Sequence, residues 1–113
     1  MKDVNDLLAS IVVELKRGTL TLAVLSQLTT PRYGYSLVQT LGERDAPIEA
    51  GTLYPLLRRL EQQGLLTSSW DTNENKPRKY YVLSRNGKEA LTLLRREWES
   101  LAATMNKLLK GVT

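Results

Sequence analysis

Apolar residues recur along this chain first at helical spacing, then alternately, then as a heptad, and each change of period marks a new element. Val4, Leu8, Ile11 and Leu15 stand at intervals of 4, 3 and 4, with Leu7 and Val12 beside them, which predicts one amphipathic helix. Gly18 ends it, after Lys16 and Arg17, cations that suit the negative end of the helix dipole. Thr19 is the expected N-cap of a second helix through LTLAVLSQL, which is apolar on nearly all sides and therefore central. Thr29, Thr30 and Pro31 stop it. In RYGYSLVQTLGERDAPIEA, the positions Tyr35, Leu37, Val38 and Leu41 predict a short helix from Gly34 to about Thr40, with Gly42 and Pro47 bracketing a polar turn.

The next stretch, GTLYPLLRRLEQQGLL, has two unlike faces. At 100° per residue, Leu53, Leu56, Leu57 and Leu60 share one side, while Gly51, Tyr54, Pro55, Arg58, Arg59 and Gln62 cover the other. The outward side holds two arginines, a tyrosine and a glutamine, with Glu61 as its one acid at the margin. Such a face suits phosphates and base edges, although an ordinary surface helix has the same pattern. With Thr52 as N-cap, Pro55 falls at N3, where its missing N–H removes no helical bond. A short helix, a turn and a second amphipathic helix in that order are the plan of a helix-turn-helix.

After Gly64, a helix C-terminal signal, the period becomes two. Leu66, Ser68 and Trp70 alternate with Leu65, Thr67 and Ser69, and Tyr81 and Leu83 with Tyr80 and Val82, so two strands flank DTNENKP. The hairpin carries Lys76, Arg78 and Lys79. It reads either as a basic wing that grips phosphates beside the recognition helix, or as a solvated hairpin whose charges blunt an edge strand. From Ser84 to about Lys110 the chain is helical again. Leu91, Leu94, Trp98, Leu101, Met105 and Leu108 follow at spacings of 3, 4, 3, 4 and 3, the a/d seam of a coiled coil. A helix of order 40 Å overhangs so small a domain, and its seam needs a partner. The N-terminal stripe supplies part of one and a second copy of the chain the rest, which predicts a homodimer.

Composition narrows the function. The 113 residues fit one domain, with no apolar run long enough to span a membrane and no secretory leader pattern at the N-terminus, so a cytoplasmic protein is expected. There is no cysteine and no histidine, which removes disulfides, thiol nucleophiles, the commonest metal ligand and the commonest general base. The carboxylates show no paired spacing, and neither enzyme, metal nor cofactor is expected. The net charge of +4 is concentrated in the middle, where residues 32 to 88 hold nine bases against six acids. A central basic excess is compatible with nucleic acid.

The series YGYSLVQTL, GTLYPLLRRLEQQGLL and PRKYYVLSRNGKEAL resembles the PadR family of bacterial transcriptional regulators, in particular its short subfamily with one C-terminal helix. The resemblance spans about residues 17 to 110. It implies a mainly α protein with a small β-hairpin: a winged helix-turn-helix over 19 to 83, flanked by dimerisation helices over 1 to 17 and 84 to 110. It also implies a dimer that represses transcription from double-stranded DNA until a small molecule releases it. Glu49 departs from the small capping residue common in the family, but a carboxylate can also cap.

Carried over position by position, Thr52, Tyr54, Pro55 and Arg58 face the major groove, with Arg59 and Gln62 further along. Arg58 has the best chemistry for a bidentate contact to guanine, worth about 1 to 3 kcal/mol of discrimination. Tyr33 takes a phosphate and Tyr35 packs, or the reverse, while Lys76, Arg78 and Lys79 grip the backbone. Trp98 reads either as a seam residue or as the centre of a pore that sandwiches flat aromatic or cationic effectors, lined by Leu8, Ile11, Val12, Glu97, Ser100 and Leu101. The rival class is a winged-helix protein-interaction module with neither DNA nor effector.

Overall fold

The computed structural model describes residues 3–73 and 75–112. Among them the helical stripes become α1 (Val4–Arg17), α2 (Leu20–Ser26), α3 (Gly34–Glu43), α4 (Ala50–Gln62) and α5 (Arg85–Leu109). The alternating stretches become β2 (Leu66–Asp71) and β3 (Arg78–Leu83), joined by a short β1 (Arg32–Tyr33) in one antiparallel sheet of order β1-β3-β2. Two residues are too few to show alternation, so β1 is visible only through its partners Tyr81 and Tyr80 on β3. Helix, helix, hairpin in this order, with a third strand closing the sheet, is a winged helix-turn-helix.

The core explains why α2 is apolar all round. Val24, Leu25 and Leu28 are fully buried against Leu37 of α3, and against Leu53, Leu57 and Leu60 of α4. Leu83 N–H donates to the Leu28 carbonyl at 2.9 Å and fastens the sheet to the end of α2. Only the beginning of α5 joins this core, through Leu91 and Leu94. Beyond them the helix runs out from the domain, whose longest dimension is 56 Å.

Several local expectations are corrected. Thr19 precedes α2 with helical backbone, and its hydroxyl donates to Lys16 O instead of capping the helix. α2 stops at Ser26, short of Leu28, where the Arg32 side chain donates to the Gln27 carbonyl at 2.8 Å. α3 runs through Gly42 to Glu43, and the left-handed residue of the turn is Asp45, at φ 62°. The Ala46 N–H then returns to Leu41 O at 2.8 Å and closes the helix end. Aspartate tolerates that backbone better than most side chains, which is why no glycine is needed there.

α4 also begins earlier than Thr52. Glu49 occupies the N-cap position with extended backbone, yet its carboxylate makes no capping bond, and Thr52 lies inside the helix. Pro55 is therefore the sixth helical residue, beyond the free N–H groups of the first turn, and deprives Gly51 O of its helical donor. Gly51 is exposed, so that carbonyl keeps access to water.

Candidate nucleic-acid interface

The leucine face of α4 is buried as expected, and this fixes what the other face presents. With Leu53, Leu56, Leu57 and Leu60 turned inward, Thr52, Tyr54, Pro55, Arg58, Arg59 and Gln62 are all exposed. Among the described residues neither Arg58 nor Arg59 forms a salt bridge. Two glycines, Gly34 and Gly64, shape the surroundings of this helix. Tyr54 lies against Gly34, where an added Cβ would come within 2.6 Å of the tyrosine ring, so the glycine between Tyr33 and Tyr35 leaves room for an interface side chain. Sequence reading gave Gly34 no such part. At the other end Gly64, at φ 79°, lets Gly64 N–H reach Glu61 O and Leu65 N–H reach Leu60 O, both at 3.0 Å. The chain thereby turns directly from α4 into the hairpin.

Along β3 the side chains alternate between two faces of the sheet. Tyr81 and Leu83 are buried, and Lys79 shares their side; Arg78, Tyr80 and Val82 take the other. The Arg78 guanidinium sits 5.0 Å from the centre of the Tyr33 ring, which stacks on Tyr80 at 3.9 Å. The Tyr33 hydroxyl accepts from Tyr80 and donates to Asp71 at 3.2 Å. Its pKa is pushed up to about 12, first by the hydrogen bond with Tyr80, then by burial and by Asp71. Tyr33 is thus half-buried in the wing, whereas Tyr35 is 65% exposed on α3. Tyr35 is therefore the more exposed of the two.

Lys76 is exposed on the hairpin loop, but Lys79 turns inward and donates to Glu61 of α4 at 3.2 Å. Glu61 also accepts from the Ser68 hydroxyl. That bond from Ser68 holds the Glu61 carboxyl below the usual glutamate range, with burial opposing it and Lys79 reinforcing it. Burial works against the charged Lys79, but Glu61 and Tyr81 outweigh it and its pKa is raised. A cleft of about 730 Å³ opens between this hairpin, Tyr54 and the start of α3, with Tyr35, Ser36, Trp70 and Arg78 on its walls.

A second concavity lies between the end of α1, the start of α2 and α5. It is a groove of about 1010 Å³ lined by Leu15, Leu22, Leu94, Trp98, Leu101 and Met105, with Glu97 at its edge. Of the residues expected around an effector, Glu97, Trp98 and Leu101 are here; Leu8, Ile11, Val12 and Ser100 are not. The reason is that α1 buries none of its side chains within one chain. Leu8 and Ile11 stay exposed, as do Trp98 at 45%, Leu101, Met105 and Leu108. Among the described residues no group of side chains is arranged to hold a metal, and no helix is long and apolar enough to cross a membrane.

Comparison with known proteins agrees with this layout. The family described as "Transcriptional regulator PadR-like family" matches residues 21–93. A PadR family transcriptional regulator from Eggerthella lenta superposes with a TM-score of 0.90 at 50% identity, over 95% of this chain and 96% of that one. A PadR-like transcriptional regulator from Bacillus cereus gives 0.77 at 28% identity, over 87% and 98%. Transcriptional regulator Rv3488 of Mycobacterium tuberculosis is 36% identical over 90 residues, 79% of this chain and 84% of its own length.

Proposed function

Since the chain belongs to the PadR-like family of transcriptional regulators, we propose that it is a cytoplasmic homodimer that represses transcription by binding a roughly palindromic operator in duplex DNA. Its relatives are regulators and not enzymes. The observation that carries the DNA reading is the outward face of α4, a row of exposed polar side chains held on four buried leucines and followed directly by a basic hairpin. In this reading Thr52, Tyr54, Pro55 and Arg58 meet base edges, Arg59 and Gln62 extend the contact, and Lys76, Arg78 and Tyr35 meet the backbone.

Arg58→Ala separates the two kinds of contact. It is expected to weaken binding to the preferred sequence by about tenfold or more and to lower discrimination against a scrambled duplex. Gel-shift titrations on both duplexes check this. An equal loss on the two would show that Arg58 only neutralises phosphate, and a native chain without salt-dependent binding would favour the protein-interaction module instead.

Two copies related by a two-fold axis would cover the exposed seams of α1 and α5 and place two α4 helices on successive major grooves. The groove at Trp98 then borders the interface, and its indole suits a flat aromatic or cationic effector. Filling it would change the separation of the α4 helices and release DNA. In a Trp70→Phe variant, which leaves Trp98 as the only tryptophan, an aromatic effector is expected to quench emission. Unchanged emission across a broad aromatic panel would leave Trp98 a packing residue.

A further inference from the structure

Glu61 is the one acid of α4, and it stands where an acid is unfavourable on two counts. It lies in the last turn, against the negative end of the helix dipole, and it borders a face proposed to meet a polyanion. Both of its oxygens are nevertheless engaged. Oε2 accepts from the Ser68 hydroxyl on β2, and Oε1 from the Lys79 ammonium on β3 at 3.2 Å. One carboxylate thus ties both strands of the hairpin to the recognition helix. The two charged side chains are 29% and 31% exposed, so the pair is screened less than a solvated bridge. The Lys79 ammonium also lies 5.2 Å from the centre of the Tyr81 ring and 6.0 Å from that of Trp70.

Strand alternation gives this pair a consequence for DNA. Arg78 and Lys79 are neighbours in sequence and so leave β3 on opposite faces: both border the cleft beside Tyr54, but Arg78 lies over the Tyr33 ring whereas the Lys79 ammonium is turned to Glu61. Building on the DNA-binding reading above, we infer that Glu61, Ser68 and Lys79 form a latch that sets the angle of the wing against the recognition helix. Lys79 is then a positioning residue that acts through Glu61 and does not touch phosphate. The latch holds the wing cations in register with the base contacts of α4. A wing released from it has to be ordered when DNA arrives, and that ordering is subtracted from affinity.

The intact chain, titrated with its selected duplex at several salt concentrations, separates the latch from a direct contact. Long-range electrostatics alone says that Glu61→Gln, which removes a negative charge beside DNA, tightens binding. The latch says the reverse, a loss of about fivefold. Lys79→Met is expected to cost a similar factor with the salt slope unchanged. The double variant is expected to be no weaker than either single one, and the exchange Glu61→Lys with Lys79→Glu to regain most of the loss. Thermal unfolding of each variant shows that the fold is retained. Glu61→Gln binding as tightly as the native chain or tighter, together with a Lys79→Met slope lower by about 0.9 per protomer, would mean a direct phosphate contact and overturn the latch alone. A native chain whose DNA binding ignores salt would overturn the DNA reading, and the latch with it.

Discussion

Replacing Leu101 by glutamate is expected to leave the chain monomeric and to weaken its hold on a palindromic operator by about a hundredfold or more. Leu101 is 54% exposed within one chain, so the substitution leaves the fold of the protomer almost untouched. Its effect falls on the assembly. Trp98, Leu101, Met105 and Leu108 continue the α5 seam past the domain core, and α1 adds Val4, Leu8, Ile11 and Leu15, none of them buried. So much exposed apolar surface is what the proposed interface between two copies would cover. A carboxylate at its centre would have to be buried unpaired, which a marginal association does not survive. Sedimentation velocity gives the mass, and a gel shift the affinity. A variant that stays dimeric and binds as before would place the interface elsewhere.

The second large effect is on stability. Gly87→Ala is expected to cost about 3 kcal/mol and to lower Tm by about 10 to 20 °C, measured at fixed protein concentration because dimers unfold in a concentration-dependent way. Gly87 is the third residue of α5, and its N–H donates at 3.0 Å to the side chain of Ser84, the N-cap. The Ser84 hydroxyl donates in turn to Gly64 O at 2.6 Å, and Ser84 N–H to Leu65 O at 3.0 Å. The junction of α4 with the wing and the start of α5 therefore lock on the same few atoms. A Cβ on Gly87 would stand 2.0 Å from the Leu65 carbonyl oxygen and 3.2 Å from a Leu83 methyl. Backbone cannot swing aside as a flexible side chain does, so the helix has to move off the sheet. A thermal shift of only a few degrees would mean that this contact relaxes easily.

The features legible in the sequence are those that depend on long repeats. The leucine face of α4 and the α5 stripe each extend over several turns; burial follows the period in α4, whereas of the α5 stripe only Leu91 and Leu94 pack on the core. The start of α5 was legible to within one residue, at Ser84, but not that residue's part as the N-cap that accepts from Gly87 N–H. The strand β1 and the reversal at Asp45 were not, since a two-residue strand and a single left-handed aspartate leave no periodic trace. Pro55 misled in the other direction: a proline argues for a helix start near it, whereas α4 tolerates it one turn further in.

The same division applies to the site. Arg58, Arg59 and Gln62 could be placed because an amphipathic helix determines which side faces out. Lys79 could not, because its partner Glu61 lies 18 positions earlier and only the fold brings them together. Tyr33 likewise is drawn into the wing by Tyr80 and Asp71, contacts across 47 and 38 positions. Charge in a basic stretch therefore does not say which cations the fold pairs with an acid.

The most direct test is the stoichiometry of the complex between the native chain and a duplex selected from genomic fragments, measured by analytical ultracentrifugation. Two recognition helices per particle predict two chains on one duplex, with the chain already dimeric before DNA is added. A particle of one chain on one duplex, or no complex at a salt concentration near physiological, would contradict the account.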